Sequence, residues 1–137
     1  MPIPEITAID HVSVLITDIE RSRQFYTGIL GLKEIAKPRT FQFKVIWYDL
    51  GGGQTLHLLL KPMADNISPR HFALKIRSVE EARSYFRSKG IPFEETTLIP
   101  GCDRFFIQDP DGNRIEIIQW LEPYHPATSG APAFDRG

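Results

Sequence analysis

The chain carries an internal repeat in which each copy opens with a histidine. The first copy reads HVSVLITDIERSRQFY from His11, and the second reads HFALKIRSVEEARSYF from His71. Both copies have the same residue at four of these positions, and most other positions exchange similar side chains. An internal repeat means that one supersecondary unit is used twice. We therefore expect two units built alike, with their histidines at equivalent places.

Hydrophobic periodicity predicts one strand, one helix and three further strands in each copy. In the first copy, residues 8–16 predict a strand and the segment from Asp18 to Gly31 predicts a helix. The other predicted elements are strands 32–36, 40–49 and 54–61 in the first copy, and strand 71–77, a helix from Ser78 to Gly90 and strands 91–97, 103–109 and 113–119 in the second. The sequence thus predicts an α+β fold of two tandem β-α-β-β-β modules, at about 8–61 and 70–120.

Length and composition indicate an ordinary globular protein. The chain has 137 residues, a net charge of −1 and 42% hydrophobic residues. These values predict one domain over residues 1–121, followed by a Pro/Ala/Gly-rich tail at 122–137. The charge balance excludes an electrostatic surface for nucleic acid or an anionic membrane, and no apolar run has the length of a membrane span. A single cysteine and the absence of a basic-apolar leader favour a cytoplasmic protein.

Four polar residues stand at repeat-related places in otherwise apolar strands. Glu116 lies among isoleucines, and His57 lies among leucines in the matching strand of the first copy. A buried carboxylate needs a cation, a proton or hydrogen-bond donors. Two histidines and a carboxylate suit Fe(II), and a fourth nitrogen donor would also serve Zn(II), Ni(II), Mn(II) or Co(II). We predict a divalent-metal site held by His11, His71 and Glu116, whereas His125 in the tail is expected to be solvated.

Alternation along the third strand of each module predicts which side chains face a cavity. Val45 and Trp47 continue an apolar face that we expect to pack on the helix, so their neighbours should point the other way. The residues predicted to contact substrate are Lys44, Tyr48, Arg104 and Phe106. Lys44 and Arg104 would attract an anionic substrate, or else they are solvated charges at the strand edge.

These motifs resemble the vicinal-oxygen-chelate superfamily, which includes glyoxalase I, fosfomycin-resistance proteins, methylmalonyl-CoA epimerase, extradiol dioxygenases and bleomycin-resistance proteins. The matching segments are IDHVSV, RSRQFYTGILGL, HFALKI and FFIQDPDGNRIEI, and the likeness covers residues 8–119. The resemblance implies a curved mixed sheet around a metal-binding cavity, with modules that pair within one chain or across a homodimer. It also implies that His11, His71 and Glu116 are the shared metal ligands.

The residue at the position of His57 differs between members of the superfamily, so the resemblance does not specify the reaction. Glyoxalase I has a carboxylate at this place, the epimerase has a glutamine, and extradiol dioxygenases have an acid-base histidine at a similar position. The resemblance implies a glyoxalase-like lyase or isomerase whose small substrate chelates the metal through adjacent oxygens, with His57 as catalytic acid-base or fourth ligand. The alternatives are an extradiol-type dioxygenase using Fe(II) or Mn(II) and a metal-free binding protein. Phe106 weakens the dioxygenase alternative, because those enzymes have a tyrosine there, and the histidines weaken the binding-protein alternative.

Overall fold

A computed structural model describes residues 2–134 of the chain. The chain forms two compact units. The first contains the residues up to Pro69 together with the turn Asp109–Asn113, and the second contains Arg70–Gln108 together with the residues from Arg114 onward. Within the described range, no helix is long and apolar enough to cross a membrane.

The first unit contains a four-stranded mixed sheet and one helical segment. Its elements are β1 (His11–Ile16), α1 (Ile19–Arg23) with a π-helical continuation (Gln24–Ile29), β2 (Lys33–Ile35), β3 (Val45–Gly51) and β4 (Gln54–Leu60). The strand order is β1-β4-β3-β2. β1 runs parallel to β4, and the other pairs are antiparallel.

The second unit repeats this arrangement. Its elements are β5 (His71–Lys75), α2 (Val79–Ser88), β6 (Glu94–Glu95), β7 (Cys102–Gln108) and β8 (Arg114–Trp120), followed by a short helix α3 (Pro126–Ser129). The strand order is β5-β8-β7-β6, again with one parallel pair, β5 with β8. The predicted α+β fold of two tandem β-α-β-β-β modules is therefore confirmed.

The helices begin and end where the sequence predicts. The side chains of Asp18 and Ser78 each accept a hydrogen bond from the backbone N–H three residues further on, which satisfies a donor that the first helical turn leaves free. The helical segments stop before Gly31 and Gly90, whose φ angles are 69° and 68°. Glycine adopts this left-handed conformation without the steric cost that a Cβ would add.

Each unit buries an apolar core on one face of its sheet. The fully buried residues of the first core include Ile16, Tyr26, Tyr48, Leu56 and Leu58. In the second core, Phe105 of β7 packs edge-on against Phe86 of α2. Other buried members of that core are Val79, Ile107, Ile115 and Ile117. Side chains alternate along a strand, so every second residue points away from this core. The histidines of the strands lie on that opposite face.

Two of the predicted strands are much shorter in the structure. The strand predicted at 40–49 begins only at Val45, because the preceding loop is held by Lys37, whose Nζ donates to the carbonyls of Phe41 and Phe43. The strand predicted at 91–97 shrinks to Glu94–Glu95. The predicted tail at 122–137 is exposed as far as residue 134, and its last three residues lie outside the described range.

The turn Asp109–Asn113 is bound into the first unit by buried polar contacts. The Tyr26 hydroxyl donates to the Asp109 carboxylate at 2.8 Å, and the Asn113 amide donates to the Leu15 carbonyl at 2.8 Å. Burial and the neighbouring Asp109 raise the pKa of Tyr26 well above its ordinary value, so the hydroxyl stays protonated and donates. The DPDGN motif therefore does more than reverse the chain, which is all that its turn residues predict.

Candidate functional site

The predicted metal-site residues occupy equivalent register positions in the two units. In the β1–β4 pair, His57 aligns with the residue two positions after His11. In the β5–β8 pair, Glu116 aligns with the residue two positions after His71. Positions two apart on one strand share a face. Each sheet therefore presents its first-strand histidine and its fourth-strand polar residue on the same face.

The third and fourth strands of the two units are paired in the same way. Trp47 pairs with His57 and Phe106 pairs with Glu116, so the two hairpins have the same length. Gly51, Gly52 and Gly53 have φ angles of 82°, 61° and 81°, and the pairing of β3 with β4 shifts register between Asp49 and Gly51. Three successive residues in the left-handed region require glycine. The glycines therefore accommodate this irregularity, and His57 keeps the place that corresponds to Glu116.

The first cluster consists of His11, His57 and Trp47, whose rings form a stack. The His57 ring lies 3.8 Å from the Trp47 ring and 4.2 Å from the His11 ring, with interplanar angles of 12° and 20°. Hydrogen-bond partners fix the two imidazoles, because His57 Nε2 lies 2.8 Å from the Thr55 hydroxyl and His11 Nδ1 lies 2.7 Å from an Asp10 carboxylate oxygen. Within residues 2–134, Asp10 contacts Nδ1 of His11, and no hydrogen bond involves its Nε2.

Burial controls the charge of His57. Only 8% of this residue is exposed. Burial lowers its pKa, the neighbouring His11 lowers it further, and Asp10 opposes the shift. Desolvation disfavours the charged imidazolium, so His57 is neutral at pH 7 and has a lone pair for a proton or a metal.

The second cluster consists of His71, Glu116 and Arg104. His71 Nε2 lies 3.1 Å from Glu116 Oε1, and Arg104 Nη1 donates to Glu116 Oε2 at 3.0 Å. Arg104 Nη2 also donates to the Thr97 carbonyl at 2.7 Å. Glu116 is 6% exposed, so it needs this compensation. The cation that the buried carboxylate requires is therefore supplied, at least in part, by Arg104.

The residues predicted to contact substrate have different surroundings. The prediction that Tyr48 faces the cavity is wrong. Tyr48 is fully buried on the helix side of the sheet, and its hydroxyl lies 2.8 Å from that of Thr27. Trp47 instead shares the face of His57. The alternation misled because both faces of β3 are apolar, so they could not be told apart. Lys44 is exposed just before β3, and Phe106 is 6% exposed with its ring edge-on to His71 at 4.8 Å.

The structure places the four polar residues of the predicted site in two pairs. His11 lies beside His57 in the first unit, and His71 lies beside Glu116 in the second. In residues 2–134, no three His, Cys, Asp or Glu side chains form a preformed ion site. The ligand set His11, His71 and Glu116 thus stays a prediction.

Sequence reasoning missed several neighbours of these clusters. Asp10 precedes His11, and Thr55 and Arg114 each stand two residues before the key polar residue of their strand. That spacing alone places Thr55 and Arg114 on the faces of His57 and Glu116, so alternation could have found them. The stacking role of Trp47 had no such signal.

Comparison with known proteins identifies the family. The model of the Glyoxalase/Bleomycin resistance protein/Dioxygenase superfamily matches residues 8–117. The chain belongs to this superfamily. It is 30% identical over 123 residues to Glyoxylase I 4 of Arabidopsis thaliana, covering 82% of this chain and 70% of that one. It is 27% identical over 116 residues to a trivalent organoarsenical cleaving enzyme of Bacillus sp. strain MD1, covering 79% and 70%.

A solved structure supports the same assignment. A protein assigned to the glyoxalase family from Bacillus anthracis superposes with a TM-score of 0.79 at 28% sequence identity. The match covers 87% of this chain and 99% of that one. The match therefore spans both modules of this chain.

Proposed function

We propose that this chain is a metal-dependent lyase or isomerase of the glyoxalase I type, acting on a small substrate that binds the metal through two adjacent oxygens. The observation that carries the proposal is the equivalent placement of two polar pairs: His57 aligns with the residue two positions after His11, and Glu116 aligns with the residue two positions after His71. The name of the Arabidopsis relative supports the reaction class. The proposal includes a homodimer, as the family resemblance implies.

The donor chemistry of both clusters fits a divalent ion. His71 Nε2 and Glu116 Oε1 are 3.1 Å apart, a separation that two ligand atoms of one ion commonly have. Asp10 orients His11 through Nδ1, as carboxylates do for metal-binding histidines. We propose that His11, His71 and Glu116 hold the ion, which is Zn(II), Ni(II), Mn(II), Co(II) or Fe(II). When bound, the ion supplies Lewis-acid stabilisation of the negative charge that develops on substrate oxygens during proton removal.

The remaining side chains would orient groups and move a proton. His57 is neutral at pH 7 and is held by Thr55, so it is suited to accept a proton or to serve as fourth ligand. Arg104 holds Oε2 of Glu116 and thereby leaves Oε1 on the side of His71. Lys44 is exposed, so it is available to attract an anionic substrate.

The organoarsenical activity of the second relative is not carried over. Trivalent arsenic is a soft centre that prefers thiolate ligands. This chain has one cysteine, Cys102, which is 6% exposed and whose pKa is raised by burial. A buried thiol that resists ionisation is a poor ligand or nucleophile.

Metal analysis of purified protein tests the proposal. We expect about one equivalent of a divalent ion in the parent protein and loss of that equivalent in His11→Ala. His125→Ala is the matched control, because this histidine lies in the exposed segment before α3 and should leave metal content unchanged. Full metal in His11→Ala would overturn the ligand assignment.

Anaerobic and aerobic substrate screens separate the reaction classes. A lyase or isomerase should turn over vicinal-oxygen substrates without oxygen. Consumption of oxygen with a catechol-like substrate and Fe(II) or Mn(II) would instead establish the dioxygenase alternative. Metal-free protein that binds small molecules without turnover would establish the binding-protein alternative.

A further inference from the structure

The Arg114 guanidinium is held in place by an aromatic ring beside the His71–Glu116 pair. Its Cζ lies 4.1 Å from the centre of the Phe106 ring. Phe106 is 6% exposed and is therefore a fixed support. A guanidinium that stacks on an aromatic face gains cation–π attraction and loses rotational freedom. The side chain is thus preorganised before any ligand binds.

The hydrogen-bond donors of Arg114 are uncommitted. In the part of the chain that the structure describes, no hydrogen bond or ion pair involves this guanidinium, whereas Arg104 donates to Glu116 and to a backbone carbonyl. Arg114 is half-buried, so a small molecule in solvent can reach it. A guanidinium offers a planar fork that matches a carboxylate bidentately.

Strand geometry places this fork beside the proposed metal ligands. Arg114 aligns with His71 across the parallel β5–β8 pair and precedes Glu116 by two residues. Phe106, which supports Arg114, also contacts the His71 ring at 4.8 Å. All four side chains therefore lie on one face of the sheet.

The charge balance of this face favours an anion. Arg104 and Glu116 form an ion pair at 3.0 Å and largely cancel each other. Arg114 adds a positive charge that forms no ion pair with a carboxylate of residues 2–134. An arginine near a buried, fixed set of charges attracts an anionic group more strongly than a solvated lysine does.

We infer that Arg114, stacked on Phe106, binds a carboxylate carried by the substrate, which is then an oxygen-chelating molecule with an additional anionic group. This inference rests on the proposed function, because it assigns the substrate class of the same site. It also moves the anion-binding role predicted for Arg104 to a neighbouring strand.

Two ligands that differ at one end test the inference. 2-Oxoglutarate and 2-oxopentanoate share a chelating 2-oxo acid and a five-carbon chain, and only the first has a distal carboxylate. Isothermal titration should show that the parent protein binds 2-oxoglutarate about tenfold to a hundredfold more tightly, as expected for a charge-assisted hydrogen-bond pair. Arg114→Gln should abolish this preference without weakening the binding of 2-oxopentanoate. Arg114→Lys should keep part of it, because the charge remains and the fork is lost.

Arg87→Gln is the matched control. Arg87 also stacks on a phenylalanine, with Cζ 5.5 Å from the Phe93 ring, but it lies on α2. Its removal changes the net charge equally and should leave the preference intact. Circular dichroism of each variant verifies folding.

Several results would overturn the inference. These are a parent protein without the preference, an Arg114→Gln variant that retains it, and an equal loss of affinity for both ligands. The titrations are run on zinc-loaded and on EDTA-treated protein. An Arg114-dependent preference in protein that fails to bind zinc would count against the proposed function alone. Bound zinc without the preference would count against the carboxylate site alone.

Discussion

Replacing Arg104 with methionine tests whether this guanidinium is the counter-ion of Glu116. The two side chains are 16% and 8% exposed, and Nη1 lies 3.0 Å from Oε2. Removal of one member of a buried ion pair costs about 3–5 kcal/mol, because the other charge is left uncompensated. His71 still contacts Glu116, and Arg104 retains some exposure. We therefore expect Arg104→Met to lower the free energy of unfolding by the smaller value, about 3 kcal/mol.

Urea unfolding at neutral pH with EDTA, followed by circular dichroism, measures this cost without any contribution from metal. The double variant Arg104→Met/Glu116→Gln removes the stranded charge as well. It should be more stable than Arg104→Met alone by about 1–2 kcal/mol. Arg77→Met, at an exposed arginine of the same unit, should change stability by less than about 0.5 kcal/mol.

Two outcomes would refute the ion-pair reasoning. One is a cost below about 1 kcal/mol for Arg104→Met, which is the range of a solvated surface pair. The other is a double variant whose loss equals the sum of the two single losses, since independent sites add and coupled sites do not. Either result would return Arg104 to the solvated strand-edge charge that the sequence also allowed.

Substitutions at two buried tyrosines and at Arg83 should also change the stability of the protein. Tyr26 and Tyr48 are both fully buried. Tyr26→Phe removes a hydrogen bond to a buried carboxylate and should cost about 2 kcal/mol in urea unfolding, whereas Tyr48→Phe removes one to a hydroxyl and should cost about 1 kcal/mol; equal costs would contradict this. The Arg83 hydrogen bond holds the pKa of Asp103 below its ordinary value. This contribution to stability is present above about pH 4 and is lost as the pH falls through the lowered pKa. Arg83→Gln should therefore lower the melting temperature more at about pH 6 than at about pH 3, and a pH-independent difference would count against it.

Strong local signals explain which elements could be predicted. Capping residues and terminal glycines located the helices, since these positions satisfy local backbone requirements whatever the rest of the fold does. The loop around Phe41 and Phe43 was predicted as a strand because its apolar residues occupy every second position. This pattern does not show whether the backbone pairs with another strand. Tyr48 was assigned to the wrong face for a related reason, since a strand that is apolar on both faces shows no alternation.

The sequence indicated some residues of the predicted site, but it did not indicate their contacts. His57 and Glu116 stood out because a polar residue inside an apolar strand demands a partner. The identity of the partners did not follow from the sequence. Arg104 reaches Glu116 across a strand pair, and Trp47 reaches His57 by stacking, so both contacts depend on register. Asp10 and Arg114 did not stand out, because neither is a polar residue in the middle of an apolar strand.

The repeat that opens at His11 and His71 predicts two similar modules and equivalent places for their histidines, because duplicated periodicity encodes duplicated strands and helices. The way in which the charges of each module are matched depends on the folded arrangement of the strands. His57 and Glu116 occupy equivalent register positions, yet His57 is packed between aromatic rings and Glu116 is paired with Arg104. These pairings join residues far apart in the chain, and their distances depend on strand register and burial, which no local pattern specifies.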